Sequence, residues 1–123
     1  MKIRAHRDLE TYKLAFDAAM LIFESTKKFP KEEVYSLTDQ IRRSSRSVCA
    51  NLAEAFRKRK YPKHFISKLS DCEAEAAETQ VWLEFSVECN YIDQEKYKDL
   101  VFRYDKILGK LGNMSLQPEK WSY

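Results

Sequence analysis

Apolar side chains recur at three- and four-residue intervals along most of this chain, the period of an α-helix that lays one face on a core. Leu9, Tyr12, Phe16, Ala19 and Phe23 form one stripe, and Leu14, Ala18 and Leu21 a second, which predicts a first helix over about 9–27, apolar on more than one face. Phe29-Pro30 stops it, because proline disfavours helix in the residue before it. After a connection over 30–35, Leu37, Ile41, Val48, Leu52, Ala55 and Phe56 mark the core face of a second helix over about 36–60. Ser36 and Asp39 resemble a capping box at its start. Ser44, Ser45, Ser47, Ala50 and Ala53 are small, admit close approach by another helix, and predict a central place for this one.

Tyr61-Pro62 marks the next junction, and Pro62 suits the first position of a third helix over about 62–89, with Phe65, Leu69, Cys72, Ala76, Leu83 and Val87 at helical spacing. So short a connection makes helices two and three antiparallel neighbours. Asp93 is a good N-cap, and Ile92 and Tyr97 occupy the positions of a hydrophobic staple. A fourth helix over about 93–111 follows, with Tyr97, Leu100, Val101, Tyr104, Ile107, Leu108 and Leu111 on its buried stripe and Gly112-Asn113 at its end. Residues 1–8 read as an unstructured basic arm and 113–123, with Pro118 and Trp121, as a loose, flexible tail.

The expected fold is therefore all-α: one antiparallel up-down-up-down four-helix bundle domain over 1–123. Composition agrees, since 2 Gly and 3 Pro are too few for the many turns of a sandwich or barrel. No apolar run approaches the roughly 20 residues that span a bilayer, so no membrane association is expected. The opening MKIRAHRDLE is charged and lacks the apolar centre of a signal peptide. Cys49, Cys72 and Cys89 are odd in number and too far apart for a Cys-x-x-Cys pair, which points to a reduced, cytoplasmic setting.

The net charge of +3 is too small to imply a polyanionic partner, but its distribution is uneven. Residues 42–68 carry Arg42, Arg43, Arg46, Arg57, Lys58, Arg59, Lys60, Lys63 and Lys68 against Glu54 alone, a balance of +8. Residues 69–99 carry nine carboxylates against Lys96 and Lys98, a balance of −7. The run from Arg57 to Lys60, with Lys63, His64, Tyr61 and Phe65 beside it, has the composition that contacts phosphates and stacks on bases. Its commoner meaning is a solvated helix end, where cations suit the helix dipole. The acidic stretch pairs either with a neighbouring helix or with the basic pole of another copy, and head-to-tail contacts of the latter kind close into rings.

Catalytic chemistry is hard to find. Neither His6 nor His64 has Glu three residues before it, as a di-iron bundle requires, and no HExxH, P-loop, GxGxxG or GxSxG occurs. No metal, cofactor or enzymatic activity is expected. The three cysteines fall at or near core positions and read as small buried hydrophobes. Glu54 lies among small residues, and with Glu75 or Glu78 it offers a cation site or an acid/base pair. A carboxylate paired at a subunit contact is the preferred reading. Trp82 and Phe85 flank Leu83 and cannot share one core with it, so Glu54, Trp82 and Phe85 are candidates for an oligomer interface.

Four segments carry a resemblance: Lys28-Phe29-Pro30-Lys31-Glu32-Glu33, Leu37-Thr38-Asp39-Gln40-Ile41-Arg42-Arg43-Ser44, Asn51-Leu52-Ala53-Glu54 and Glu78-Thr79-Gln80. In their order and spacing, from Phe16 to Leu111, the chain resembles the S23-type four-helix bundle proteins encoded in intervening sequences of bacterial 23S ribosomal RNA genes. Cys49 stands where that family often has Pro and Ala55 where it often has Gly, and a helix tolerates Cys and Ala better than Pro and Gly. The resemblance implies a homopentamer and no catalytic activity. Similar bundles are accessory proteins of diversity-generating retroelements, pentameric barrels that bind nucleic acid and associate with a reverse transcriptase.

Two functions follow as expectations. The first is a non-catalytic oligomer that binds RNA or DNA through Arg42, Arg43, Arg46, Arg57, Lys58, Arg59, Lys60 and Lys63. The second is a protein–protein scaffold ring in which the basic and acidic stretches satisfy each other between subunits. A metal-dependent enzyme built on Glu54 is a distant third.

Overall fold

The protein is seen as a computed structural model that describes residues 3–121. Four helices account for most of it: α1 (Glu10–Thr26), α2 (Leu37–Arg57), α3 (Pro62–Glu88) and α4 (Gln94–Leu116). Single 3₁₀ turns lie at His6–Asp8, Lys31–Glu33 and Pro118–Lys120, and no strand occurs among the described residues. Each helix touches the next, and α1 also packs on α4, so the four enclose one core.

The α2–α3 contact is the most extensive, as the small residues of α2 predict. Ser44 and Ser45 are buried there, whereas Ala50 is exposed and faces away from the bundle. The core faces of α2, α3 and α4 follow the predicted stripes: Leu52, Leu69, Leu83, Leu100, Tyr104 and Ile107 are all closed to solvent, and only Val87 of the third stripe stays half-exposed.

Helix α1 departs from its prediction. Its buried residues are Thr11, Ala15, Ala18, Ala19, Ile22 and Thr26. That face lies between the two predicted stripes and takes one alanine from each. Phe16, placed in the core by its spacing, is 48% exposed. Alanines let α1 lie close to its neighbours, and the bulkier Phe16 and Phe23 are left at the flank.

The ends also differ from expectation. The predicted arm at 1–8 is ordered from Ile3 onward, Met1 and Lys2 lying outside the described residues. The Asp8 carboxylate accepts N–H bonds from Arg4 and Ala5, both at 3.0 Å, which hold its carboxyl below the usual range, and Leu9 is buried behind it. Ser36 does not cap α2 with its own side chain. Glu33 replaces it: its Oε1 accepts from the Ser36 hydroxyl at 2.5 Å and from the Leu37 N–H at 3.3 Å. Its Oε2 accepts from the Tyr91 hydroxyl at 2.9 Å, tying the start of α2 to the α3–α4 turn.

Helix α2 ends at Arg57, three residues early, and Tyr61, before Pro62, is in extended backbone (φ −112°, ψ 91°), as suits a residue preceding proline. Helix α3 closes through Asn90 at φ 62°, with Tyr91 N–H reaching back to the Ser86 carbonyl at 2.9 Å. Asp93 caps α4 as predicted, its Oδ1 accepting from Lys96 N–H at 2.7 Å, and Ile92 and Tyr97 both pack on the core.

Helix α4 does not stop at Gly112. Neither glycine has a positive φ, and the helix continues to Leu116. Met114 supplies the reason, being only 4% exposed, with its Sδ 3.5 Å from the Thr11 hydroxyl. Burying such a side chain contributes about 1.5–3 kcal/mol, more than the roughly 1 kcal/mol that a helical glycine costs. The tail predicted to be loose is ordered to Trp121, which packs against the core; Ser122 and Tyr123 lie outside the described residues.

Candidate nucleic-acid interface

The basic side chains of α2 fall into two groups. Arg42, Arg43 and Arg46 lie in its first half, and Arg57 ends it. Lys58, Arg59 and Lys60 form the turn, and Lys63 lies in the first turn of α3. About 22 Å of helix separates Arg42 from Arg57, fifteen residues at 1.5 Å each.

The eight are not equivalent. Arg43 reaches across to α3, where it pairs with Glu75 at 3.4 Å and, closely, with Glu78. Glu78 also accepts from the Trp82 indole N–H at 3.1 Å. Arg43 is therefore engaged within the fold. Arg59 donates to the Phe56 carbonyl at 2.8 Å and lies 3.7 Å from the Phe56 ring centroid, so it closes the end of α2. By contrast Arg46, Arg57, Lys58, Lys60 and Lys63 are exposed, and none makes an ion pair among the described residues. Tyr61, 53% exposed, stands among them, with Lys60 5.2 Å from its ring centroid and His64 5.8 Å ring to ring.

In the first group Phe23 is the organising residue. The Arg42 guanidinium lies 4.7 Å and that of Arg46 5.6 Å from its ring centroid, and the Lys27 ammonium 5.0 Å. Arg42 Nε donates to the Thr26 hydroxyl at 2.7 Å, and Thr26 in turn donates to the Phe23 carbonyl at 2.9 Å. Neither Phe23 nor Thr26 is singled out by reading the sequence for binding chemistry. Phe23 reads as core because it falls on an apolar stripe, and the available signal is that aromatic position facing a basic helix.

The candidate carboxylates do not converge. Glu54 pairs with Lys68 at 3.0 Å, which raises the lysine's pKa, whereas Glu75 and Glu78 sit with Arg43. Among the described residues no cluster of three or more His, Cys, Asp or Glu is placed to hold a metal. Cys49 and Cys72 are buried, which pushes their thiols up to about 11 and about 12. Cys89, placed near the core by its spacing, is exposed. Trp82 packs partly on the core, and Phe85, 54% exposed, lies beside it at 5.9 Å ring to ring. No helix of the described residues is long and apolar enough to cross a membrane.

Comparison with known proteins places the chain in a family. A family model described as "23S rRNA-intervening sequence protein" matches residues 7–113. Among solved structures, the chain is similar to a Bacteroides thetaiotaomicron protein of unknown function from the S23 ribosomal protein family. The two are 27% identical, the match covers 85% of this chain and 97% of that one, and the TM-score is 0.77. No curated protein matches the chain.

Proposed function

From the premise that the chain belongs to the 23S rRNA-intervening sequence protein family, we propose that it is a non-catalytic, oligomeric protein that binds RNA or DNA through phosphates. The observation that carries this reading is the set Arg46, Arg57, Lys58, Lys60 and Lys63, exposed along α2, the turn after it and the start of α3, with no internal carboxylate partner among the described residues. Intramolecular pairing accounts for Arg43 but leaves this surface uncompensated.

In this reading the four helices run antiparallel, up-down-up-down. The order of cross-helix partners supports it: Glu54 with Lys68, Val48 with Cys72 and Ser44 with Thr79 run in opposite directions along α2 and α3. The bundle assembles in the cytoplasm as a homopentameric ring, with Phe85, Trp82 and Glu54 at or near subunit contacts. A ring repeats a weak basic patch and raises affinity by avidity. By analogy with retroelement accessory bundles, a reverse transcriptase is a candidate protein partner.

The test is binding of a labelled structured RNA at several salt concentrations, with wild type beside Arg57→Glu/Lys58→Glu and oligomer mass checked for both. Arg59 is left alone because it closes α2. Binding that weakens steeply with salt and is lost in a still-assembled variant is the expected result. An intact ring that binds no RNA at low salt overturns this reading in favour of the scaffold ring, in which charge reversal at these positions breaks the assembly instead.

A further inference from the structure

Three cations gather around Phe23, and one of them has an ion-paired carboxylate among the described residues. Arg42 and Arg46 are one helical turn apart, and like charges at that spacing repel. Both are nevertheless drawn to the same ring, with Lys27 as a third cation near it. Of the three, only Lys27 has a carboxylate, Glu24 at 3.2 Å, and that pair is exposed. Arg42 and Arg46 make no ion pair among the described residues. Asp39 lines the same groove without pairing to either.

The arrangement also restricts how Arg42 can move. Its Nε is committed to Thr26, Thr26 is committed to the Phe23 carbonyl, and the Phe23 ring lies under the guanidinium. The two terminal nitrogens of Arg42 have no partner among the described residues. A guanidinium held at Nε and stacked on a ring presents those two nitrogens as a fork, the geometry that meets two oxygens of one phosphate. Both arginines border an open groove of about 500 Å³ whose other walls are Val34, Thr38, Ser47 and Ala50, which are small or apolar, with Asp39 and the ion-paired Arg43.

We infer that Arg42 and Arg46, braced by Phe23 and Thr26, form a phosphodiester clamp, a site for one backbone phosphate of a nucleic-acid strand separate from the basic turn after α2. The inference rests on the nucleic-acid reading above and deepens it by locating where a phosphate is gripped and not merely attracted. A carboxylate from a second copy is the competing occupant. The phosphate is favoured because Arg42, Arg46 and Lys27 gather three cations at one ring, neither arginine has an ion-paired carboxylate among the described residues, and small and apolar groove residues beside the fork leave room for a sugar or base.

The test compares wild type with Arg42→Lys/Arg46→Lys and, separately, Phe23→Leu. The probe is a labelled single-stranded RNA decamer, and oligomer mass and thermal melting are recorded for each protein. The lysine pair keeps the charge but loses the fork, and affinity is expected to fall by about fivefold or more. Phe23→Leu keeps both arginines but removes the platform, with an expected loss of about threefold. Lysine-pair affinity equal to wild type overturns the clamp while leaving the nucleic-acid function standing. A lysine pair that changes oligomer mass assigns the arginines to a subunit contact and also overturns the clamp. So does displacement of the decamer by polyglutamate as readily as by unlabelled RNA at equal ionic strength. Failure of wild type to bind the decamer at low salt overturns the clamp and the broader function together.

Discussion

The hydroxyls of Ser44 and Thr79 share a hydrogen bond of 2.8 Å across the α2–α3 contact, and both residues are closed to solvent. Thr79 Oγ1 also lies 2.9 Å from the Glu75 carbonyl, so it joins its own helix to the neighbouring one. Thr79→Val leaves Ser44 with only a long 3.4 Å contact to the Ile41 carbonyl. The expected loss is about 1–3 kcal/mol, the cost of an unsatisfied buried hydroxyl. Ser44→Ala/Thr79→Val is expected to lose less than the two single changes added together, because it removes both hydroxyls at once. Urea unfolding of the four proteins checks this.

Tyr104 is buried in the middle of α4, and its hydroxyl has no hydrogen-bond partner among the described residues. Burial pushes its pKa far above the usual tyrosine value. Tyr104→Phe removes only that oxygen and is expected to raise stability by about 1 kcal/mol. A lower melting temperature for the variant would show that the hydroxyl has a partner after all.

Glu33 accepts hydrogen bonds from the hydroxyls of Ser36 and Tyr91 and from the Leu37 N–H, and these hold its pKa below the ordinary 4.5. A carboxyl whose folded pKa is lowered stabilises the protein above its unfolded pKa, and that contribution is lost as pH falls through the folded value. Wild type is therefore expected to lose melting temperature more steeply than Glu33→Gln between about pH 5 and pH 3. Parallel curves for the two proteins would remove Glu33 from the acid response. The same carboxylate raises Tyr91 to about 12, so its phenol stays protonated throughout this range.

Gly112 lies inside α4 with nothing within 4 Å of where a Cβ would stand, and its φ is not positive. Gly112→Ala is expected to stabilise the protein by about 0.5–1 kcal/mol. The sign is the useful part: a glycine ending the helix in left-handed backbone would make the same change destabilising. Thermal melting decides between the two.

Cys89 is exposed, while burial of Cys49 and Cys72 raises their thiols to about 11 and about 12. One equivalent of Ellman's reagent is expected to react rapidly with the native protein, and three equivalents after denaturation in urea. Cys89→Ser is expected to abolish the rapid phase.

Most of the bundle is legible in the chain because its signals are local. Pro30 and Pro62 constrain the residue before them, Asp93 satisfies an N–H three residues on, and the core stripes of α2 and α4 repeat over several turns. The basic and acidic stretches are equally plain from a count of side chains. Three further decisions depend on partners distant in sequence. Which face of α1 is buried depends on how closely its neighbours approach, and two candidate stripes leave that open. Whether α4 passes Gly112 depends on Met114 finding Thr11, 103 residues away. Which arginines are available depends on α3 bringing Glu75 and Glu78 to Arg43 and on α1 bringing Phe23 and Thr26 to Arg42. Helix type and charge content are properties of short segments and are determined by the sequence alone. Whether a given charge is spent inside the fold or offered to a partner is decided only when the helices pack, because Coulomb and hydrogen-bond terms act over a few ångströms of space and not along the chain.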